Sequence, residues 1–487
     1  MRIASLAVLL FAGLGLSSLL AKQKLNPINM EGIRDASTLE VEVIEDWHFV
    51  SGKVPTRQKF MTIRVGEFWP GKEYRVPVRL IVPADKKAKG IHLTGDHAFN
   101  RIQTERPLRP IETLLVEGGV GLVYTVVQNL NQSGQGVLSK EIEARFLKTL
   151  DPRSSVQTWG WPTSLSRAVT AAYSESGYFE QGKVALSGGS KNGASPSMAL
   201  IHDNRLTAVH ATVSPIWASP LRLSAEGAWE KMKQADLAYV EAHGLDAAEK
   251  DKIFNHAFRG GYFGPEYVSF AMAQGRTWKD LKDFAKSLAD SVFISRNKDA
   301  LNARGVDLYF APGTHDFVCY DIQWGGKHHP DIPVYFKTNS GHGKNKGHPA
   351  RETDESNLQA FLLQHFFIVE GELLSPPEVS HNRLGDALEV KVQFASENPA
   401  ESGRIWWMFN RGIDGSASYL NVPFPDDQWL EMKFDMKNGM WTATIPLNDG
   451  AKTIDFFSNH RKTIRYRGED YYSYLSSPYS RIRLIRR

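Results

Sequence analysis

Cysteine is almost absent from this sequence. Cys319 is the single cysteine among 487 residues, so no disulfide can form within the chain and stability must come from packed cores. A large excess of one charge is also missing, because 58 Lys and Arg are nearly balanced by 54 Asp and Glu, giving a formal net charge of +4. A charge this dilute, with no long basic block, predicts no nucleic-acid partner.

A long apolar run is missing everywhere except within residues 1–21. There Arg2 precedes the mostly apolar residues 6–20, and Ala21 supplies a small residue before a segment with lysines. This pattern is typical of a secretory signal peptide cleaved near Ala21, with an uncleaved anchor as the alternative. We therefore expect a periplasmic or secreted protein with no stable membrane insertion after cleavage.

Residues 22–374 alternate predicted strands with predicted helices. Nearly continuous apolar strands between amphipathic helices are typical of a parallel sheet covered on both faces. The predicted strands are 39–44, 60–65, 74–82, 90–93, 121–127, 184–186, 207–213, 306–310 and 334–337. The predicted helices are 110–117, 162–176 and 356–367.

Two stretches interrupt this alternation. Residues 128–158 are polar and predict a surface excursion. Residues from about 217 to 301 contain no convincing strand and predict a helical insertion, which is either a lid or a plain helical subdomain. The helices expected in this insertion are 226–242, 247–258, 265–273 and 278–287.

The composition changes at Pro376-Pro377, after which short strands dominate. Residues 388–394 alternate between apolar and polar, and Asn438-Gly439 is a strong signal for a two-residue hairpin turn. About seven short strands in roughly 110 residues predict an all-β sandwich. We therefore expect an immunoglobulin-like β-sandwich domain over residues 375–487.

The segment from Val184 to Gly193 has the layout of a nucleophile elbow. A short apolar strand is followed by two glycines, Ser190 and residues that can begin a helix, so the turn would lift the serine hydroxyl above a parallel sheet. The elbow pattern has a glycine two residues after the serine, but here that glycine, Gly193, comes three residues after it. Pro196 is also awkward within a helix. A glycine- and serine-rich loop is the alternative interpretation.

Two further loops supply partners for Ser190. A serine nucleophile needs a histidine base and a carboxylate that orients it, and α/β-hydrolases present them in the order Ser, Asp or Glu, His. Asp316 follows the strand 306–310, and His342 follows the strand 334–337. Each residue alone is explained equally well as a turn, cap or loop residue, but three such placements together predict a catalytic triad.

Other residues compete for each of these roles. His315 and His348 are alternative bases, and Asp321 is an alternative acid. Cys319 would need a lowered pKa to act as a nucleophile, and nothing beside it in the sequence provides one. None of the competing serines has glycines on both of its sides; they are Ser187, Ser195 and Ser197.

The transition state of acyl transfer also needs hydrogen-bond donors for the developing oxyanion. We expect one from the backbone N–H of Lys191, which follows the nucleophile. The second is expected from the loop that contains Gly95, Asp96 and His97, after an early strand. An ordinary turn is the alternative for that loop.

The segment from Gly188 to Gly193 resembles the Gly-x-Ser-Lys-Arg-Gly segment of the PhoPQ-activated pathogenicity-related proteins. It is also similar to the Gly-Cys-Ser-Arg-x-Gly segment of glucuronoyl esterases. The first resemblance extends to the signal peptide, a helix led by Trp159, the run from Gly313 to Asp316, a late histidine loop and a C-terminal β domain. Both groups are α/β-hydrolases, so the resemblance implies Ser190 as nucleophile with Asp316 and His342 as partners. The glucuronoyl esterases imply help to the oxyanion from the Lys191 side chain.

Three further patterns have both a functional and an ordinary interpretation. Histidines and a carboxylate near the C-terminal edge of the sheet could bind a metal, although their spacing matches no known motif; they are His328, His329, Asp331, His342 and His348. Basic residues beside the predicted site favour an anionic ester if they face the pocket and are otherwise a solvated rim; they are Arg101, Arg106, Arg109, Lys337, Lys344 and Lys346. Trp406 and Trp407 could stack on sugar but are typical of a sandwich core.

The sequence as a whole predicts an exported α/β-hydrolase with a helical insertion and a C-terminal β-sandwich. We expect a carboxylic ester hydrolase that acts on a small-molecule or carbohydrate ester through Ser190, His342 and Asp316, with no metal or organic cofactor. A serine peptidase on the same fold is the second hypothesis. A non-catalytic surface or carbohydrate-binding protein is the third.

Overall fold

A mixed eight-stranded sheet is the largest element of the computed structural model, which describes residues 26–96, 100–105, 107–127, 136–254, 271–343 and 347–484. The strands lie in the order β1-β2-β3-β5-β4-β6-β7-β8. They are β1 (Glu42–Val50), β2 (Thr56–Glu67), β3 (Glu73–Pro83), β4 (Ala88–Asp96), β5 (Gly121–Val126), β6 (Phe179–Gly189), β7 (Ala208–Thr212) and β8 (Asp307–Ala311).

Strands β5, β4, β6, β7 and β8 run parallel to one another. Strands β1, β2 and β3 continue the sheet through antiparallel pairs. Beyond β8, residues 334–337 add two parallel bridges, from Phe310 to Val334 and from Gly313 to Lys337. This crossed order, with the carboxyl ends of the parallel strands at one edge, is the topology of the α/β-hydrolase fold, so the predicted fold class is confirmed.

Helices cover both faces of the sheet, which explains why parallel strands such as β5 are buried along their whole length. The predicted helix over residues 110–117 is confirmed, with Pro110 at its first turn and the Glu112 carboxylate accepting from the Arg109 N–H at 2.8 Å. The helices in this part of the chain are α1 (Met30–Arg34), α2 (Asn100–Gln103), α3 (Pro110–Glu117), α4 (Gly136–Thr149), α5 (Trp161–Ser174) and α6 (Lys191–His202).

The prediction of a polar surface excursion over residues 128–158 is wrong for the part that the structure describes. Residues 136–149 form α4, and its Ile142, Phe146 and Leu147 are buried in the main core. Ile142 and Phe146 are four residues apart and Leu147 follows directly, so one side of the helix packs while the charged residues on the other side stay polar. The ring of Phe146 contacts that of Phe284 at a centroid distance of 5.4 Å.

The described parts of the insertion between β7 and β8 contain helices joined by turns and loops, and no strand. The helix predicted at 265–273 lies mostly outside the described residues, as does the predicted signal peptide at 1–21. None of the described helices combines the length and apolar character that a bilayer crossing needs. The remaining helices of this half are α7 (Glu226–Ala242), α8 (Ala247–Phe254), α9 (Trp278–Val292), α10 (Lys298–Ala303), α11 (Ile322–His328) and α12 (Asn357–Phe366).

Two antiparallel sheets form the C-terminal part of the chain, as the strand pattern predicted. One has the order β13-β14-β10-β9, and the other has the order β12-β11-β15-β16 with β17 also pairing with β15. The short helix α13 (Ala417–Asn421) follows β11. The strands are β9 (Glu378–Leu384), β10 (Ala387–Gln393), β11 (Ser402–Phe409), β12 (Trp429–Glu431), β13 (Lys433–Asp435), β14 (Met440–Pro446), β15 (Thr453–Tyr466), β16 (Glu469–Ser476) and β17 (Ser480–Arg483).

Both faces are buried in the middle of β11 and β15, because the sandwich packs against the α/β part of the chain. Trp407 lies in the cluster that contains the interior of the sandwich, whereas its neighbour Trp406 belongs to the cluster of the α/β part. Both tryptophans are buried. They are therefore core residues, and the alternative of an exposed sugar-stacking surface at this pair is excluded.

Three buried histidines predict a loss of stability in acid. Burial lowers the pKa of His92 to about 4 and the pKa values of His210 and His460 to about 3. Below the unfolded value of about 6.5 the unfolded chain binds more protons than the folded chain. The free energy of unfolding should therefore fall by about 1.4 kcal/mol per pH unit for each histidine as the pH drops from about 6.5 to about 4.

Urea unfolding of wild type and His460→Gln between pH 4.5 and 7.5 measures this effect. The variant should show a shallower fall in stability, because one of the three contributions is gone. The matched control is His381→Gln, since His381 is exposed and lies on β9, in the other sheet of the sandwich. An identical slope in wild type and His460→Gln would contradict the prediction.

Candidate active site

The nucleophile-elbow geometry is present at Ser190. Strand β6 ends at Gly189 and α6 begins at Lys191, so Ser190 alone makes the turn between them. Its backbone has φ 58° and ψ −123°, a conformation that residues with a side chain rarely adopt. Strain of this kind persists only where the surrounding structure holds it, and it concentrates at functional sites.

The glycines around the elbow are required by close packing. A Cβ atom on Gly188 would lie 2.1 Å from the carbonyl oxygen of Asn192. A Cβ atom on Gly193 would lie 2.9 Å from the Gly188 oxygen and 3.0 Å from the Thr212 oxygen. Gly193 therefore allows α6 to pack against the ends of β6 and β7, although it stands one position later than the usual pattern.

Pro196 is accommodated within α6 for a related reason. Because Pro196 has no N–H, the carbonyl of Asn192 four residues earlier is not needed as a helix acceptor, and this carbonyl is the one that contacts Gly188. The Asn192 side chain points toward the end of β4, where a Cβ on Gly95 would lie 2.7 Å from its Oδ1. The two features that departed from the elbow pattern are thus parts of one packed turn.

His342 lies within hydrogen-bonding distance of both Ser190 and Asp316. The Ser190 Oγ is 2.8 Å from the His342 Nε2. The His342 Nδ1 is 3.0 Å and 3.2 Å from the two carboxylate oxygens of Asp316. A carboxylate at Nδ1 favours the tautomer that carries its proton there and leaves the Nε2 lone pair facing the serine.

The Asp316 carboxylate is fully buried, whereas the imidazole of His342 is partly exposed. The Val318 N–H donates to the Asp316 Oδ1 at 2.7 Å and fixes the carboxylate. The ring of Phe317 packs on the imidazole at a centroid distance of 4.5 Å. The geometry thus combines a held carboxylate with a histidine that a substrate can reach.

The competing residues are engaged elsewhere. The ring nitrogens of His315 contact Thr314 and Val422, and the His348 Nε2 contacts the Pro425 carbonyl. Burial raises the pKa of the Cys319 thiol well above its usual value. The alternative acid and serines also have partners of their own: Asp321 binds Arg222, Ser187 contacts His92, and Ser195 and Ser197 donate to helix carbonyls.

The loops that carry Asp316 and His342 are held by the segment of residues 411–425, which lies between β11 and β12. The Asn339 amide donates to the Phe424 carbonyl and accepts from the Phe424 N–H, both at 2.8 Å. Arg411 donates to the Thr314 carbonyl, and His315 contacts the Val422 carbonyl. The sequence did not predict this role for the C-terminal part. From the sequence, Asn339 indicated only a loop, and in the structure its backbone has φ 55°.

The predicted oxyanion loop is described only in part. Strand β4 ends at Asp96 beside β6, with Thr94 in register with Ser187, and His97 lies outside the described residues. Lys191 begins α6, and its ammonium group lies 5.8 Å from the centre of the Trp161 ring. The end of β4 and the start of α6 therefore meet beside Ser190.

The basic residues singled out from the sequence divide into two groups. Arg109 pairs with Glu112 at 2.6 Å and Lys337 pairs with Glu355 at 3.5 Å, so each has a carboxylate partner. The other group comprises Arg106, Lys344 and Lys346, which lie outside the described residues, and the side chain of Arg101, which is not described. Within the described part of the chain, His, Cys, Asp and Glu side chains form no cluster of three suited to a metal ion.

Comparisons with known proteins add the following. No family model matches the chain, and no curated protein matches it. The structure is similar to acetyl xylan esterase 1 from Thermoanaerobacterium sp. JW/SL YS485, with 13% identity over 66% of this chain and 91% of that chain and a TM-score of 0.37. It is also similar to a glucuronoyl esterase from Teredinibacter turnerae, with 12% identity over 61% of this chain and 66% of that chain and a TM-score of 0.33. At such TM-scores these likenesses add nothing to the geometry of the site.

Proposed function

We propose that the protein is an exported serine hydrolase that cleaves carboxylic esters, with Ser190 as nucleophile, His342 as base and Asp316 as the residue that orients the base. The single observation that carries this proposal is the 2.8 Å contact between the Ser190 Oγ and the His342 Nε2 at a strained elbow. A serine is activated for attack on a carbonyl when its hydroxyl contacts an imidazole that in turn contacts a carboxylate.

In the proposed reaction the Ser190 Oγ attacks the ester carbonyl while its proton passes to the His342 Nε2. The tetrahedral intermediate then expels the alcohol, which takes that proton from the imidazolium, and an acyl group remains on Ser190. Water then attacks the acyl-enzyme, with His342 again accepting a proton. The second tetrahedral intermediate breaks its bond to the Ser190 Oγ, which takes that proton back from His342, and the acid product leaves. Asp316 stays ionised and stabilises the imidazolium that forms twice in each cycle.

The oxyanion of each intermediate is proposed to bind at the start of α6. The backbone N–H of Lys191 belongs to the first residue of that helix, where the helix dipole favours negative charge. The loop after Asp96, including His97, is proposed to supply the second donor, because β4 and β6 are neighbours at this edge of the sheet. The Lys191 ammonium group, which lies near Trp161, is proposed to act only through its positive charge.

A comparison of substrates tests ester against amide chemistry. The protein without residues 1–21 should hydrolyse aryl acetates and leave peptide amides intact. Peptide cleavage at rates matching ester hydrolysis would favour the serine peptidase instead, and no turnover of either class would favour the non-catalytic hypothesis. Fractionation of the natural host, with the protein found in the periplasm or the medium, tests the proposed export, and the resemblance to the PhoPQ-activated proteins remains a hypothesis about ancestry.

The hydrogen bonds of Asn339 predict a measurable effect on turnover. Asn339→Gly keeps the left-handed backbone conformation that glycine adopts freely, but it removes both contacts with Phe424. Because the loop to His342 loses one of its supports, kcat should fall about tenfold with KM nearly unchanged. Steady-state kinetics on an aryl acetate measures both constants.

The matched control is Asn410→Gly. Asn410 has the same kind of backbone conformation, with φ 52°, and its Oδ1 accepts from the N–H groups of Lys452 and Thr453. This control should keep wild-type kcat. An Asn339→Gly enzyme with unchanged kcat would show that the contact with Phe424 does not hold the base in place.

A further inference from the structure

A cavity of about 420 Å³ lies at the carboxyl edge of the sheet, beside the starts of α3 and α12. Its volume falls within the range of roughly 300–1,000 Å³ found for small-ligand sites. Neither Ser190 nor His342 is among the residues that line it, but Gly188 and Gly189, directly before Ser190, form part of its wall. The side chains that matter here are those of Arg109, Ser187, His210, Lys337, Glu355 and Gln359.

The charges of this cavity are balanced. Lys337 lies 3.5 Å from Glu355, whose other carboxylate oxygen accepts from the Asn357 amide at 3.2 Å. Arg109 is paired at 2.6 Å with Glu112, which is fully buried. A carboxylate is only an acceptor, so Glu355 repels an anion and can accept further hydrogen bonds only from a ligand that donates them. The lining therefore favours a neutral ligand that both donates and accepts hydrogen bonds.

His210 adds a second, independent indication. Its side chain is buried against Tyr309, with the two rings stacked at 4.9 Å, and among the described residues its Nε2 has no hydrogen-bond partner. His92, two strands away in the same sheet, has its Nε2 2.8 Å from the Ser187 hydroxyl. Burial keeps both imidazoles neutral, and a buried polar atom without a partner is costly. A hydroxyl group from a ligand would give His210 the partner that His92 already has.

We propose that this cavity binds a neutral polyhydroxylated group, the sugar part of the ester whose carbonyl is attacked at Ser190. A hydroxyl can accept from Lys337 or Arg109 and donate to Glu355, whereas a carboxylate group can only accept and a hydrocarbon does neither. The place of this group in the reaction rests on the proposed function, because it assigns one part of the substrate to the cavity. Binding itself does not require a reactive Ser190.

A binding experiment on Ser190→Ala protein therefore separates the two claims. D-xylose, D-glucose and D-glucuronate are titrated and followed by ligand-detected NMR. We expect the neutral sugars to bind, and we expect Glu355→Gln in the same background to weaken their binding about tenfold, since a hydrogen bond to a charged group is lost. The matched control is Glu389→Gln, because Glu389 is also half-buried and paired with a lysine, 3.0 Å from Lys391 in the sandwich.

A kinetic experiment on proteins that keep Ser190 tests the role in the reaction. Glu355→Gln should lower kcat/KM for an acetylated sugar about tenfold and leave that for an aryl acetate unchanged. Failure of the neutral sugars to bind, equal binding by Glu355→Gln, or tighter binding of glucuronate than of glucose would each overturn the proposal. Sugar binding by a protein that hydrolyses no ester would preserve the binding site while rejecting the esterase.

Discussion

Replacing Ser190 by alanine is expected to lower kcat for an aryl acetate by a factor of about 10⁴ to 10⁶, which is the scale of losing a nucleophile in a serine hydrolase. The hydroxyl that contacts His342 at 2.8 Å is removed, so no acyl-enzyme can form. The fold should be retained, because alanine is smaller and the elbow is held by its glycines and by the Ser190 N–H, which donates to the Thr212 carbonyl at 2.9 Å. Initial rates at matched protein concentration measure the effect.

Ser187→Ala is the control for this experiment. Ser187 lies three residues before Ser190, on β6, and its hydroxyl contacts a histidine with the same 2.8 Å spacing, but that histidine is the buried His92. Turnover of an aryl acetate by Ser187→Ala should stay within about threefold of wild type. An aryl acetate has no sugar to occupy the cavity that Ser187 lines, and the buried His92 is not the base of the proposed reaction. Turnover by Ser190→Ala above about a hundredth of the wild-type rate would contradict the assignment.

The second large effect is expected from Asp316→Asn, which should lower kcat by a factor of about 10⁴ with little change in KM. The amide keeps the size of the carboxylate and can still accept from the Val318 N–H. It no longer stabilises the imidazolium, and its NH₂ group favours the wrong tautomer of His342. Steady-state kinetics on the same aryl acetate separates the two constants.

The chain offers a matched control for this substitution too. Asp307 contacts the His365 Nδ1 at 2.6 Å, so it forms a second carboxylate–imidazole pair at the start of β8, whereas Asp316 follows the end of that strand. Asp307→Asn should leave kcat unchanged. Equal losses in the two variants would mean that general destabilisation, and not the orientation of His342, explains the effect of Asp316→Asn.

Much of the α/β half could be predicted because its signals are local. The apolar strands and the glycines around Ser190 each constrain a few consecutive residues, and parallel strands bring their carboxyl ends to one edge of a sheet. The loops with Asp316 and His342 could therefore be expected near Ser190. The shifted glycine, Gly193, looked like a defect in the pattern, because only the structure brings it against the carbonyl oxygens of Gly188 and Thr212.

The parts that escaped prediction depend on contacts between distant residues. Helix α4 lies in a polar segment, and only packing against Phe284 makes sense of its apolar stripe. The hydrogen bonds between Asn339 and Phe424 join residues 85 positions apart, so the sequence around either residue does not indicate them. The same is true of the cavity beside β6, whose charged side chains come from three separate loops.

The most direct test of the account is to label the protein with a fluorophosphonate and locate the adduct by peptide mass spectrometry. The account predicts one phosphonylated residue, Ser190, with labelling lost in Ser190→Ala, strongly slowed in His342→Ala and unchanged in Ser187→Ala. Labelling of a different residue, or the absence of any adduct on folded wild-type protein, would contradict it.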